Sequence, residues 1–170
     1  PILGCETYIT RKPIRLEDPN TPSTRDRGDH LVLLAKNHTG YKNLIKLISV
    51  AATDNIYYHP RIDKELLEKY KEGLIVSSAC LRGELCQLIL DGNIKEAEAS
   101  AKWYKELFGD DYYIEIMLHK SNDPEINSRV YAEQLKCNKE LLAIAKRLDI
   151  KAIVTNDVHF LNKDDAEAHD

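Results

Sequence analysis

The chain has 170 residues, 43% hydrophobic and 31% charged, an ordinary globular balance that favours one domain with a buried core. Its formal net charge of −4 comes without any run of lysine and arginine, so the sequence offers no basic stripe able to grip a nucleic-acid backbone unaided. Four cysteines form no CxxC pair, which excludes a zinc ribbon or thioredoxin-type motif, and no apolar run approaches the ~18 residues of a membrane helix. Cys5, Cys80, Cys86 and Cys137 read as reduced thiols, partly in the core, of a cytoplasmic protein.

Ile2 to Thr10 reads as a strand. Residues 11–28, with Pro13, Pro19 and Pro22 and little apolar content, read as a mobile loop. Residues 29–35 form a second strand, apolar enough to be buried on both faces; with the first it makes an extended hairpin. Thr39-Gly40 opens a helix whose apolar face is Tyr41, Leu44, Ile45, Ile48, Ala51 and Ala52. Residues 55–62 are a connection rich in aromatics, and Asp63 caps a short helix to about Lys71. Then follow a strand (73–77), a helix around Leu85 and Leu88 stopped by Asp91-Gly92, a helix over 94–108, and a strand over 112–116. Asn122-Asp123-Pro124-Glu125 starts a helix to about Leu148, and 150–154 is a last, buried strand. From Leu31 onward strands alternate with helices, which predicts a parallel sheet with crossover helices, and the absence of GxGxxG and GxxxxGK[ST] favours a (β/α) barrel over a dinucleotide fold. Both ends fall inside apparent elements, so the sequence reads as a segment of a larger protein.

Active residues of such barrels sit at the C-terminal ends of strands. Asp157 and His159, two apart after the last strand, point the same way in extended chain and make a natural pair of metal ligands; the plainer alternative is a capping Asp and a packed His. Glu6 lies within an apolar strand, where an ionised carboxylate needs a cation or a salt bridge. His30 stands at the front of its strand, against the barrel rule, and reads equally as a boundary histidine. Cys80, three residues past a strand, is either a thiolate ligand or an inert core cysteine. His119, Glu115 and Arg61 form a second tier: His119 follows a strand among polar neighbours, Glu115 lies within that strand, and Arg61 accompanies Tyr57 and Tyr58, which either stack on bases or pack. Mixed ligands of this type suit Zn²⁺ or Mn²⁺ and phosphoester hydrolysis by a metal-activated water.

Six blocks carry a resemblance: residues 4–8 (GCETY), 30–37 (HLVLLAKN), 40–44 (GYKNL), 58–63 (YHPRID), 73–80 (GLIVSSAC) and 155–159 (TNDVH). In this order they resemble the N-terminal PHP (polymerase and histidinol phosphatase) domain of bacterial DNA polymerase III α subunits. The resemblance implies α/β architecture, part of a distorted seven-stranded (β/α) barrel lacking its first strands, over residues 1–170, with the polymerase domains absent. It implies metal ligands at Glu6, His30, Cys80, Asp157 and His159, about half of the family's set, holding Zn or Mn in the intact site, with Mg belonging to the absent polymerase site. It also implies DNA, deoxynucleotides and other holoenzyme subunits as partners of the parent protein, and a PHP domain that is either a metal-dependent 3′–5′ exonuclease or a structural support, the fragment itself being inert. Two other readings stand beside it: a stand-alone PHP phosphoesterase acting on a small phosphate monoester, and a non-catalytic interaction module.

Overall fold

In the computed structural model, residues 1–14, 26–120, 122, 124–162 and 165 are described. Most of the loop read over 11–28, Asp123 of the expected helix start, and all but Asp165 of residues 163–170 lie outside them.

Among the described residues, seven strands form one open sheet in the order β3-β4-β1-β2-β5-β6-β7. They are β1 (Gly4–Thr10), β2 (Asp29–Ala35), β3 (Ile56–Tyr57), β4 (His59–Asp63), β5 (Leu74–Ser77), β6 (Tyr112–Ile116) and β7 (Lys151–Val154). Six helices connect them: α1 (His38–Thr53), α2 (Lys64–Lys69), α3 (Glu84–Leu90), α4 (Ile94–Phe108), the single turn α5 (Pro124–Ile126) and α6 (Ala132–Leu148). A π-helical stretch, Asn127–Tyr131, joins α5 to α6, so the long helix expected there is interrupted in its second turn. The helix termini follow local chemistry. Asn37 caps α1 by accepting from the Gly40 amide at 3.0 Å, and Asp63 caps α2 by accepting from the Leu66 amide at 2.8 Å.

The sheet is mixed. β1 runs parallel to β4, and β5, β6 and β7 run parallel to one another, but β2 lies antiparallel between β1 and β5. The expected hairpin of β1 and β2 is present. The all-parallel sheet is not, because that hairpin inserts its returning strand between the two parallel sets. The connection read over 55–62 also contains β3 and β4. Pro60 hid them, since proline sits poorly in a central strand but is tolerated near an edge.

One face of the sheet is packed. Ile9, Leu31, Leu33, Ile62, Val76 and Ile114 meet Leu47 of α1, Ile89 of α3, Ala101 of α4 and Leu141 of α6. The buried stripe of α1 is Gly40, Leu44, Leu47 and Ala51, while Tyr41 and Ile45, read as core, are exposed. The stripe is rotated because Gly40 lies directly on the Gly73 backbone, where a Cβ would collide with the Gly73 carbonyl. β2 is not buried on both faces either: Val32 and Leu34 are only half covered. β7, expected buried, is largely exposed, with Val154 87% accessible. It is an edge strand with β6 as its one neighbour.

Candidate metal centre

Side-chain alternation puts Glu6 and Tyr8 on the face of β1 opposite the core residues Thr7 and Ile9. Tyr8 pairs with His30 and Glu6 with Val32, so Glu6 and His30 are diagonal neighbours on that face. The Glu6 Oε1 stands 2.7 Å from His30 Nδ1. That hydrogen bond holds the Glu6 carboxyl below the usual carboxylate range. The reversal of β2 resolves the apparent exception at His30: the start of an antiparallel strand lies at the same sheet end as the C-termini of its neighbours.

Cys80 reaches the same imidazole from the loop after β5. Ala79 adopts φ 59°, a left-handed conformation that turns the chain back towards β2. The loop is tied on both sides: the Ser78 amide donates to the Tyr113 carbonyl at 3.1 Å, and the His30 amide donates to the Arg82 carbonyl at 2.9 Å. Gly83 packs so close to the Ser78 carbonyl that a Cβ would clash. In consequence the Cys80 sulfur lies 3.6 Å from His30 Nδ1. Burial pushes the Cys80 thiol up to about 11, and the Asp157 and Glu6 carboxylates push the same way.

Asp157 and His159 leave the end of β7 in irregular chain, not in the extended strand that the two-residue spacing supposed. His159 Nδ1 lies 2.9 Å from the Asp157 carbonyl oxygen and 4.0 Å from its Oδ1. Asp157 bears on Cys80, and the His159 charge bears on Glu6, so the segment faces the Glu6–His30–Cys80 corner. Glu115 fixes its approach. Its carboxylate accepts from the Thr155 hydroxyl at 2.5 Å and from the Ser77 hydroxyl, and its own amide donates to Ser78 Oγ. Glu115 is thus a buried tether between β5, β6 and the end of β7.

The other second-tier residues lie elsewhere. His119 is held by Gln134, which accepts from its amide at 2.6 Å and contacts Nδ1 at 2.9 Å. Arg61 is buried, donates to the backbone carbonyls of Asn55 and Asp26, and stacks over Tyr57, so it serves the fold. Tyr8 was missed. Its ring meets His30 edge-on at 4.9 Å, and its spacing of two from Glu6 on one strand was the available signal.

Among the described residues, no three His, Cys, Asp or Glu side chains are gathered closely enough to hold an ion. Glu6 and Cys80 instead both turn to His30. The fit to a cation rests on His30 itself: Nδ1 has Glu6, with Cys80 on the same side, while Nε2 is buried with no hydrogen-bond partner among the described residues. A ligand histidine has this form, with one nitrogen on a carboxylate and the other left for the metal.

Residues 1–119 match the PHP domain family. The chain belongs to that family. Relatives that cover nearly all of this chain include DNA polymerase III α subunits. Those of Chlamydia trachomatis and Deinococcus radiodurans are each 40% identical over 100% of this chain, and that of Aquifex aeolicus is 43% identical over 99%. The chain spans 14%, 12% and 14% of those relatives' lengths, in the same order. The open α/β sheet is a PHP architecture not closed into a barrel.

Proposed function

We infer that this chain is the PHP portion of a cytoplasmic bacterial replicative polymerase, a DNA polymerase III α subunit, and that Glu6, His30, Cys80, Asp157 and His159 serve a Zn or Mn centre for phosphoester hydrolysis at a DNA 3′ end. The observation that carries the reading is the meeting of Glu6, His30 and Cys80, from three separate segments, around one imidazole whose Nε2 has no partner among the described residues. In this reading residues 1–170 are a single PHP unit, and DNA synthesis, with its Mg, deoxynucleotides and holoenzyme partners, belongs to the parent protein.

A bound cation supplies Lewis acidity and a lowered pKa for water. The chain's own residues do the rest. Glu6 orients the His30 ring by accepting from Nδ1–H. Cys80 offers a thiol that gives up its proton on coordination. Asp157 and His159 complete the donor set from the end of β7, and Glu115 keeps that end in place through Thr155. Four donors, with Glu6 behind one of them, suffice for one ion but not for a multinuclear site. The chain alone therefore binds metal weakly and hydrolyses little.

Titration of the metal-free chain with Zn²⁺ or Mn²⁺ against a competing chelator tests the centre. One weak site is expected, removed by Cys80→Ala or His30→Ala and weakened about 10- to 100-fold by Glu6→Gln, as for loss of a carboxylate behind a ligand histidine. Unchanged binding in all three variants overturns the reading. Robust metal-dependent hydrolysis of a DNA 3′ end by this chain alone overturns the claim that a single-ion donor set is too small for hydrolysis.

A further inference from the structure

The candidate centre continues outward as a column of rings. Tyr8 stands edge-on to His30, and on its other side lies parallel to His59, with centroids 4.4 Å apart and an interplanar angle of 5°. His59 is exposed, so the column ends in solvent. Next to it Tyr58 occupies the tip of the β3–β4 hairpin, the one residue between the paired Tyr57 and His59. Its φ is 62° and the residue is 69% exposed. A left-handed conformation at a bulky residue is an outlier, and glycine would relieve it. Core packing does not explain an aromatic kept there, because the ring is mostly in water. Tyr57 meets it edge-on at 4.8 Å, and the Arg27 guanidinium lies 4.6 Å from its ring centre, bringing a cation to the same tip.

We propose that His59, Tyr58 and Tyr8 form a nucleobase-stacking subsite, which seats the unpaired terminal bases of single-stranded nucleic acid beside the Glu6–His30–Cys80 corner. A parallel ring pair that opens to solvent extends naturally by one more flat ring. Stacking on it is sequence-tolerant because every base has a π-face, and Arg27 is placed for the neighbouring phosphate. A small phosphate monoester would have no use for such a column. The proposal rests on the hydrolytic reading for its purpose, but base stacking itself requires no metal.

Binding of a fluorescein-labelled oligothymidylate to the 170-residue chain, measured by anisotropy at low salt in EDTA, tests it. The comparison probe is an abasic strand of equal length. Wild type should prefer the base-bearing strand. Tyr58→Gly and His59→Ala should each lose about 5- to 150-fold in affinity, the range of one stacking contact, and Tyr58→Phe should keep it. Tyr58→Gly is the informative variant, because it removes the ring while relaxing the backbone, so its thermal midpoint should hold or rise as affinity falls. Equal affinity for both strands overturns the proposal, as does wild-type affinity in both Tyr58→Gly and His59→Ala. So does self-association of the chain that Tyr58→Gly abolishes, with no oligonucleotide bound. Zn²⁺ uptake and preference for the base-bearing strand are read in separate assays, so loss of the first in Cys80→Ala and of the second in Tyr58→Gly are separable failures.

Discussion

Tyr112 is fully covered, stacked on Tyr104 at 5.0 Å, and its hydroxyl has no hydrogen-bond partner among the described residues. A buried hydroxyl that has given up water for nothing costs stability. Tyr112→Phe should therefore raise the free energy of unfolding by about 1 kcal/mol, read as a higher urea midpoint at unchanged slope. The same burial pushes the Tyr112 phenol well above its ordinary value. The folded chain keeps a proton that the unfolded chain releases above about pH 10, so stability falls as pH rises through that range. Phenylalanine removes one such group, and the alkaline loss of stability should become shallower in the variant. Tyr104 titrates in the same sense and keeps the loss from vanishing, since burial raises it too.

At the level of elements, two glycines decide how α1 sits. Gly40 and the turn residue Gly73 (φ 74°) lie back to back, and a Cβ on either would strike backbone. Gly40→Ala should destabilise the chain by about 1–3 kcal/mol, the range for forcing extra volume into a packed site, and a denaturation midpoint equal to wild type would refute the tight contact. The glycines also show what the sequence conceals. Helical spacing announced α1, yet the stripe it buries is set by a backbone contact with a turn more than thirty residues away, which no periodicity encodes. Caps and stops were legible because they are local: Asp63 before α2, Gly92 after α3, Gly109 after α4. The direction of β2 and the pairing of β4 with β1 were not, because strand neighbours are chosen by the whole sheet. His30 shows the same division. Its residue type and its block marked it as a candidate, while the reversal of β2, which brings it to the rim, is a property of the assembled sheet.

For the molecule as a whole, the candidate centre brings the first strand along the chain towards the end of the last. Ligand binding to the folded state alone raises stability by mass action, about 2.7 kcal/mol at a hundredfold excess over Kd. Zn²⁺ should thus raise the thermal midpoint of the wild-type chain reversibly, with EDTA restoring the starting value, and Cys80→Ala should show little shift. Glu115 makes a second test at this scale. Its carboxylate links Ser77 and Thr155, so Glu115→Gln, with one oxygen replaced by a donor, should loosen the 155–159 segment and speed amide hydrogen exchange there more than in β5. Equal protection of the segment in wild type and Glu115→Gln would show that Thr155 is held by other means.

The proposed ligands His30 and Cys80, and Glu6 behind the former, become neighbours only through the pairing of β1 with β2 and of β2 with β5. Under the proposed metal centre, metal uptake is a chemical clock for that pairing. During refolding, capture of Zn²⁺ from a coloured indicator should lag helix formation and coincide with closure of the central three strands.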